Sequence, residues 1–314
     1  MSKLFIIGNG FDIAHNLPTS YDNFRQYLID EYPDADQSGS AIPETYTGKD
    51  GEDLFANAND LVGFFLYVIS NAESDGDNWC NIENSLGDLD FSSFLDDWGD
   101  YNGDDDNPWH EVYRNQDNAS EIAKSILEIT TYFSEWRDTI KIDNIEPLPK
   151  FRDLINAEKD FFLTFNYTMT LEELYDAKKV CHIHGKQDGQ LLFGHGNNSS
   201  NYEYYMENWV GSEGALDSAH QLLMKDTSKA IENNECFFYS LSSPSEDIKE
   251  IYSYGFSFSD VDMVYIRKIC SQLSTRNITW YLSGFNKEEE RNEFKEKIRA
   301  EGFEGNFDVF SIVS

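Results

Sequence analysis

The stretch Lys3–Pro18, KLFIIGNGFDIAHNLP, decides the fold class of this 314-residue chain. Residues 3–7 are a short apolar run that stops at Gly8-Asn9-Gly10. A run this short, ending in Ile-Ile and closed by a glycine turn, predicts a strand buried on both faces, as in a parallel sheet. Phe11-Asp12-Ile13-Ala14 and Leu17-Pro18 follow. Thr19 with Asp22 matches a capping box and predicts a helix through about Asp30, with Phe24, Tyr27 and Leu28 on its apolar face.

The same alternation returns in the second half of the chain. Phe161–Phe165 reads as a strand followed by Asn166-Tyr167-Thr168 and a short helix to about Ala177. Val180–Ile183 is a strand ending in His184-Gly185, and Leu191–Phe193 a short strand ending in Gly194-His195-Gly196. Glu250–Tyr254 is a strand running into Gly255-Phe256-Ser257, and Val261, Val264, Tyr265, Ile269 and Leu273 mark the helix after it. Thr279–Ser283 and Phe307–Val313 are strands flanking a helix over 287–300. Ile122, Ile126, Ile129, Phe133, Trp136 and Ile140 recur at spacings of four and three, which predicts one helix over 121–140. Alternating strands and helices imply an α/β fold, a Rossmann-like, mostly parallel sheet with helices on both faces.

Residues 32–118 differ in character, being crowded with Asp, Asn, Gly and Ser. They are expected to form a large acidic, partly helical insertion, with the most acidic stretch, 73–106, outside the sheet. The nucleotide-binding core is then expected over 1–31 and 119–314.

Charge bounds the partners. Asp and Glu number 58 against 24 Lys and Arg, a formal net of −34. Such a field repels phosphate, so neither a nucleic acid nor an anionic membrane is an expected partner. Solubility or a salt-adapted host accounts for the acid better than mimicry of nucleic acid does. Cys80, Cys181, Cys236 and Cys270 are scattered, with no CxxC pair, so neither a zinc ribbon nor a disulfide framework is expected. The first residues lack a signal-peptide cleavage pattern, and no run of 18 apolar residues occurs, which predicts a cytoplasmic protein.

In an open α/β sheet, ligands bind beyond the carboxyl ends of the strands. The polar and small residues placed there are Gly8, Asn9, Gly10 and Asp12, then Asn166, His184, His195, and finally Gly255, Ser257 and Asp260. A glycine turn lets a phosphate approach backbone N–H groups; a tight strand-to-helix turn explains the same glycines without a ligand. Ile13 replaces the third glycine of a dehydrogenase fingerprint, and no acidic residue ends a second strand about 20 residues on. Asn166 can bond a ribose hydroxyl or a water, though single asparagines mostly cap turns. His184 suits general-base work, though a lone histidine is more often structural. His182, His184 and His195 raise a metal site as an alternative. His182 and His184 share a strand face, but no carboxylate stands at ligand spacing beside them, so no metal is expected.

The segments LFIIGNGFDIAHNLPTSYDNF, LTFNYTMTLEELY, HIHGK with LLFGHG, and YGFSFSDVDMVY resemble the successive motifs of AbiH proteins. The resemblance spans most of the chain and leaves out the acidic segment. It implies a phage-defence protein acting by abortive infection. A looser resemblance, in motif order, is to sirtuin-type NAD-binding domains and their defence-linked NAD-hydrolase relatives. It implies that Gly8 and Gly10 cradle phosphates, Asn166 holds water or ribose, His184 acts as base, and Gly255 and Ser257 border the adenosine. Asp12 stands where sirtuins carry a serine, and the zinc-binding cysteines of the deacetylases are missing. The resemblance thus implies NAD or a related nucleotide as substrate or ligand. Asp12 would stabilise the ribose cation, and Asn166 and His184 would handle water. Two alternatives stand beside this enzyme. One is a nucleotide-sensing module without catalysis, acting through a protein partner or by self-association. The other is a metal-dependent hydrolase built on the histidines.

Overall fold

The computed structural model describes residues 2–38, 41–96, 108–243 and 246–312. It contains the strands β1 (Lys3–Ile7), β2 (Thr45–Thr47), β3 (Asp53–Phe55), β4 (Phe161–Thr164), β5 (Lys179–His182), β6 (Glu250–Tyr254), β7 (Thr279–Ser283) and β8 (Asn306–Phe310). Six of them form one sheet in the order β5-β4-β1-β6-β7-β8. Every neighbouring pair in it is parallel. Chain order reverses between β1 and β6, the doubly wound arrangement in which a crevice opens beyond the carboxyl ends of the two central strands. The sheet is Rossmann-like, as the sequence predicts.

The residues of β1 explain its central place. Leu4 and Ile6 pack on one face with Leu163, Ile251, Trp280 and Leu282. Phe5 and Ile7 pack on the other with Phe162, Tyr252 and Tyr254. Successive side chains of a strand point to opposite faces, so a strand covered on both sides must be apolar at every position. An aromatic row crosses the second face. Phe5 stacks between Phe162 at 5.2 Å and Tyr252 at 5.1 Å, and Tyr252 stacks on Tyr281 at 4.5 Å.

The chain divides into two compact units, Met1–Thr19 with Arg137–Leu192 and Asp226–Ser314, and Ser20–Trp136 with Phe193–Lys225. The sheet belongs to the first. The second is mainly helical, with the β2–β3 antiparallel hairpin. The acid is unevenly shared. The second unit has 31 Asp and Glu against 5 Lys and Arg, a net of −26; the first has 27 against 19, a net of −8. The acidic stretch contributes no sheet strand over residues 73–96, and 97–106 lie outside the described residues. Among the described residues, no helix is long and apolar enough to cross a membrane.

Four local expectations need correction. The box that opens helix Tyr21–Glu31 is Ser20 with Asn23, each side chain bonding the other's backbone, rather than Thr19 with Asp22. The predicted helix over 121–140 is two helices, Pro108–Leu127 and Ile129–Thr139, which meet at Glu128. The apolar stripe runs on through the break because Ile126 and Ile129 are both fully buried. Leu191–Phe193 is not a strand. Phe193 instead stacks on Phe133 at 4.0 Å, and the following His195 forms an isolated bridge with Met224. The last strand spans 306–310 and does not extend through 311 and 312, and Val313 lies outside the described residues.

Candidate functional site

The first strand ends where two turns touch. The N–H of Gly8 donates to the Tyr254 carbonyl at 3.0 Å, and that of Gly10 to the Gly255 carbonyl at 3.1 Å. A Cβ on Gly8 would lie 2.4 Å from the Gly255 oxygen and 2.7 Å from the Phe256 Cα. Gly255 itself has a φ of +65°. These glycines are therefore demanded by the close approach of the β1 and β6 turns, and two amides of the glycine turn are already engaged. Asn9 turns its side chain to the Thr19 carbonyl at 2.7 Å.

Asp12 follows on the short helix Gly10–Ala14 and is 1% exposed. Its Oδ2 accepts a 2.5 Å hydrogen bond from Thr168 Oγ1, which is itself 3.0 Å from Thr170 Oγ1. Both threonines belong to the segment after β4. Burial raises the Asp12 pKa from 3.8 to about 6, against the lowering effect of Thr168, Thr170, Asn166 and His182. Thr170 and Asn166 also lie within hydrogen-bonding reach of the Asp12 carboxylate, yet among the described residues neither Asp12 Oδ1 nor Asn166 Oδ1 meets a well-aligned donor. The structure thus brings Asp12 and Asn166 together, with two acceptor oxygens lacking such a donor. Buried polar atoms are usually paired, so two such acceptors call for a donor from water or ligand.

Asn166 is held from its backbone. Its N–H donates to Thr164 Oγ1 at 3.1 Å, and its carbonyl lies 3.0 Å from His182 Nδ1. The other ring nitrogen, Nε2, lies 2.9 Å from Glu172 Oε1 on helix Thr170–Tyr175. His182, weighed in sequence only as a metal ligand, thus bridges the ends of β4 and β5.

His184 sits two residues past β5 and is buried. Its ring is edge-on to Phe165 at 5.1 Å and to Tyr265 at 5.8 Å. Its Nε2 lies 3.3 Å from Asp262 Oδ1, an electrostatic contact rather than an aligned hydrogen bond. Gly185 after it has a φ of +87°, and a Cβ there would meet the Gln190 carbonyl at 1.9 Å, so the turn itself requires glycine.

Three candidates remain. Ser257 and Asp260 are exposed, and Asp260 pairs with Lys297 at 2.9 Å. The buried acid of that segment is Asp262. His195 belongs to the second unit. There Nε2 contacts the His220 carbonyl at 2.9 Å and Nδ1 accepts from the Asn197 N–H at 3.1 Å. Burial lowers its pKa. Among the described residues no three His, Cys, Asp or Glu side chains gather as metal ligands do.

Sequence reasoning missed Thr168, Thr170, Glu172 and Asp262. Thr168 and Thr170 carry a faint signal, alternating hydroxyls directly after a strand end. Asp262 has another, since Ser259 and Asp262 have the spacing of a helix cap, and Ser259 Oγ donates to Asp262 Oδ2 at 2.8 Å.

The model of the family described as bacteriophage abortive infection AbiH matches residues 4–283. No curated protein and no solved structure shows a significant match to the chain. The match runs from the first strand through β7 and takes in every residue of the site just described, so the chain belongs to the AbiH family of bacteriophage abortive infection proteins.

Proposed function

We propose that this protein acts in abortive infection, in the bacterial cytoplasm, by binding NAD or a close relative at the carboxyl edge of its sheet and hydrolysing the nicotinamide–ribose bond. The observation that carries the reading is the pair of buried acceptors, Asp12 Oδ1 and Asn166 Oδ1, which lack a well-aligned donor among the described residues and lie beside the switch point of a doubly wound sheet. Ribose hydroxyls or a held water supply the donors these oxygens lack. The sheet unit carries only −8 of the chain's formal net charge of −34, so its field opposes a dinucleotide far less than the whole composition suggests.

The chemistry asks for little equipment. The C1′–N bond breaks with its electron pair going to the pyridinium nitrogen, so nicotinamide leaves neutral and needs no acid. Water forms the new bond to C1′, and its proton passes to His184. The products are nicotinamide, ADP-ribose and a proton. Ionised Asp12 stabilises the oxocarbenium-like ribose, and Asn166 orients the water. Asp12 titrates near 6, so it is mostly ionised at neutral pH. These groups are all buried, so the ligand enters by a local opening.

The test is nicotinamide release by the purified full chain. The native protein cleaves NAD, and Asn166→Ala and His184→Ala each lose about 10²–10⁴ in rate. A second reading, a nucleotide-sensing module without catalysis, draws on the two engaged amides of the glycine turn, which leave that turn poorly suited to a tight phosphate grip. It predicts nucleotide binding with no turnover, and protection that passes through a protein partner or self-association.

A further inference from the structure

Asp262 has no role in the scheme above, yet it is a buried carboxylate facing the His184 ring. We infer that Asp262 is the positioning residue of His184: it holds the ring in the Nε2–H tautomer and leaves Nδ1 as the basic nitrogen. This rests on the reading of His184 as the base. Four features carry it. Nε2 and Oδ1 are 3.3 Å apart, with the two side chains only 4% and 8% exposed. Ser259 Oγ donates to the other carboxylate oxygen at 2.8 Å and so fixes its direction. Phe165 and Tyr265, themselves in contact, both pack against the ring. Asp262 also ends the short 3₁₀ turn Asp260–Asp262 and precedes helix Met263–Gln272, so it sits on rigid backbone.

A carboxylate beside one imidazole nitrogen accepts only from a protonated nitrogen, so it selects the tautomer with its proton there. The base then acts through the opposite nitrogen, and the carboxylate stabilises the imidazolium formed when the proton arrives. The contact is longer than a mature hydrogen bond, and such bonds tighten when substrate is bound. Asp260, two residues earlier, lies at the surface against Lys297 and serves as the matched control.

The experiment labels the histidines of the full chain with ¹⁵N and assigns the His184 ring by comparison with His184→Gln. In the native protein near pH 8 the chemical shifts place the proton on Nε2. In Asp262→Asn that preference is lost, and NAD cleavage falls at least tenfold at unchanged KM. Asp262→Glu recovers part of both, and Asp260→Asn changes neither. A native ring with its proton on Nδ1, or an Asp262→Asn ring with unchanged shifts, overturns the assignment. If no protein in the series cleaves NAD, the ring signals still decide on Asp262, while the proposed hydrolysis fails by itself. Thermal melts separate misfolding from a local effect, and Asp262→Ser serves as the second variant if Asn fails to fold.

Discussion

Replacing Asp12 by Asn should make the protein more stable. Asp12 is fully buried, and burial raises its pKa from 3.8 to about 6. At 1.36 kcal/mol per pKa unit, keeping Asp12 ionised in the fold costs about 3 kcal/mol. Below pH 3.8 both the folded and unfolded states hold the proton, and the penalty is absent. Between about 4 and 6 only the unfolded state releases it, so native stability falls as pH rises. Above 6 the full penalty is present and constant. Asparagine is neutral throughout, has nearly the same shape, and can still accept from Thr168 Oγ1. At pH 7.5 the variant should gain about 3 kcal/mol, which corresponds to a rise in Tm on the order of 6–12 °C. The assay is urea unfolding of both proteins from pH 4.5 to 8, followed by hydrogen exchange in β1 and β4 so that the sheet unit is read separately. The gain should open across pH 4–6 and then level off. A variant no more stable than the native protein at pH 7.5, with a gap independent of pH, would refute the reasoning. A carboxylate retained at such a cost belongs with sites where function is kept against stability, so the same variant should lose NAD cleavage.

Three further outcomes follow from the geometry. Tyr175→Phe should destabilise by about 2 kcal/mol or more in urea titrations, because the hydroxyl lies 2.6 Å from His15 Nε2 and accepts from the Leu148 N–H at 2.7 Å, leaving two groups unmet. Burial lowers the His15 pKa, so in the folded state the ring stays neutral where the unfolded ring gains a proton; stability should fall as pH drops below 6.5, and His15→Gln should flatten that slope in the same titration. Gly8→Ala should cost about 1–3 kcal/mol or more in thermal melts, since its Cβ meets rigid backbone at 2.4 Å, whereas an alanine at exposed Gly214, with open space around it, should not.

The central strands β1, β4, β6 and β7 were legible because they are largely buried and appear as apolar runs, from LFII at β1 to WYL at β7, whereas the edge strands β5 and β8 keep polar, half-buried or exposed positions. Apolar runs mislead where one aromatic packs alone, as Phe193 does on Phe133. Periodicity also hides a break when the stripe continues through it, as at Glu128. Strand ends pointed to Asp12, Asn166 and His184 because parallel topology carries those ends to one edge. What surrounds them was not legible. Thr168, Glu172 and Asp262 reach the site through helix starts and turns; Thr168 meets Asp12 across 156 residues of chain and Asp262 lies far along the chain from His184, while Glu172 meets His182 across a turn between neighbouring elements. Glycine gave an ambiguous signal for a physical reason: Gly10 and Gly255 are required by each other's backbone, and that requirement has the same sequence form as a phosphate turn.

The most direct test of the account measures nicotinamide and NAD in cells carrying the native chain, His184→Ala or no copy of the protein, before and after phage infection, with plaque counts taken alongside. NAD should fall and nicotinamide rise on infection only with the native chain, and His184→Ala should lose both the depletion and the protection while accumulating to the same level. Full protection by His184→Ala with NAD undiminished would contradict it.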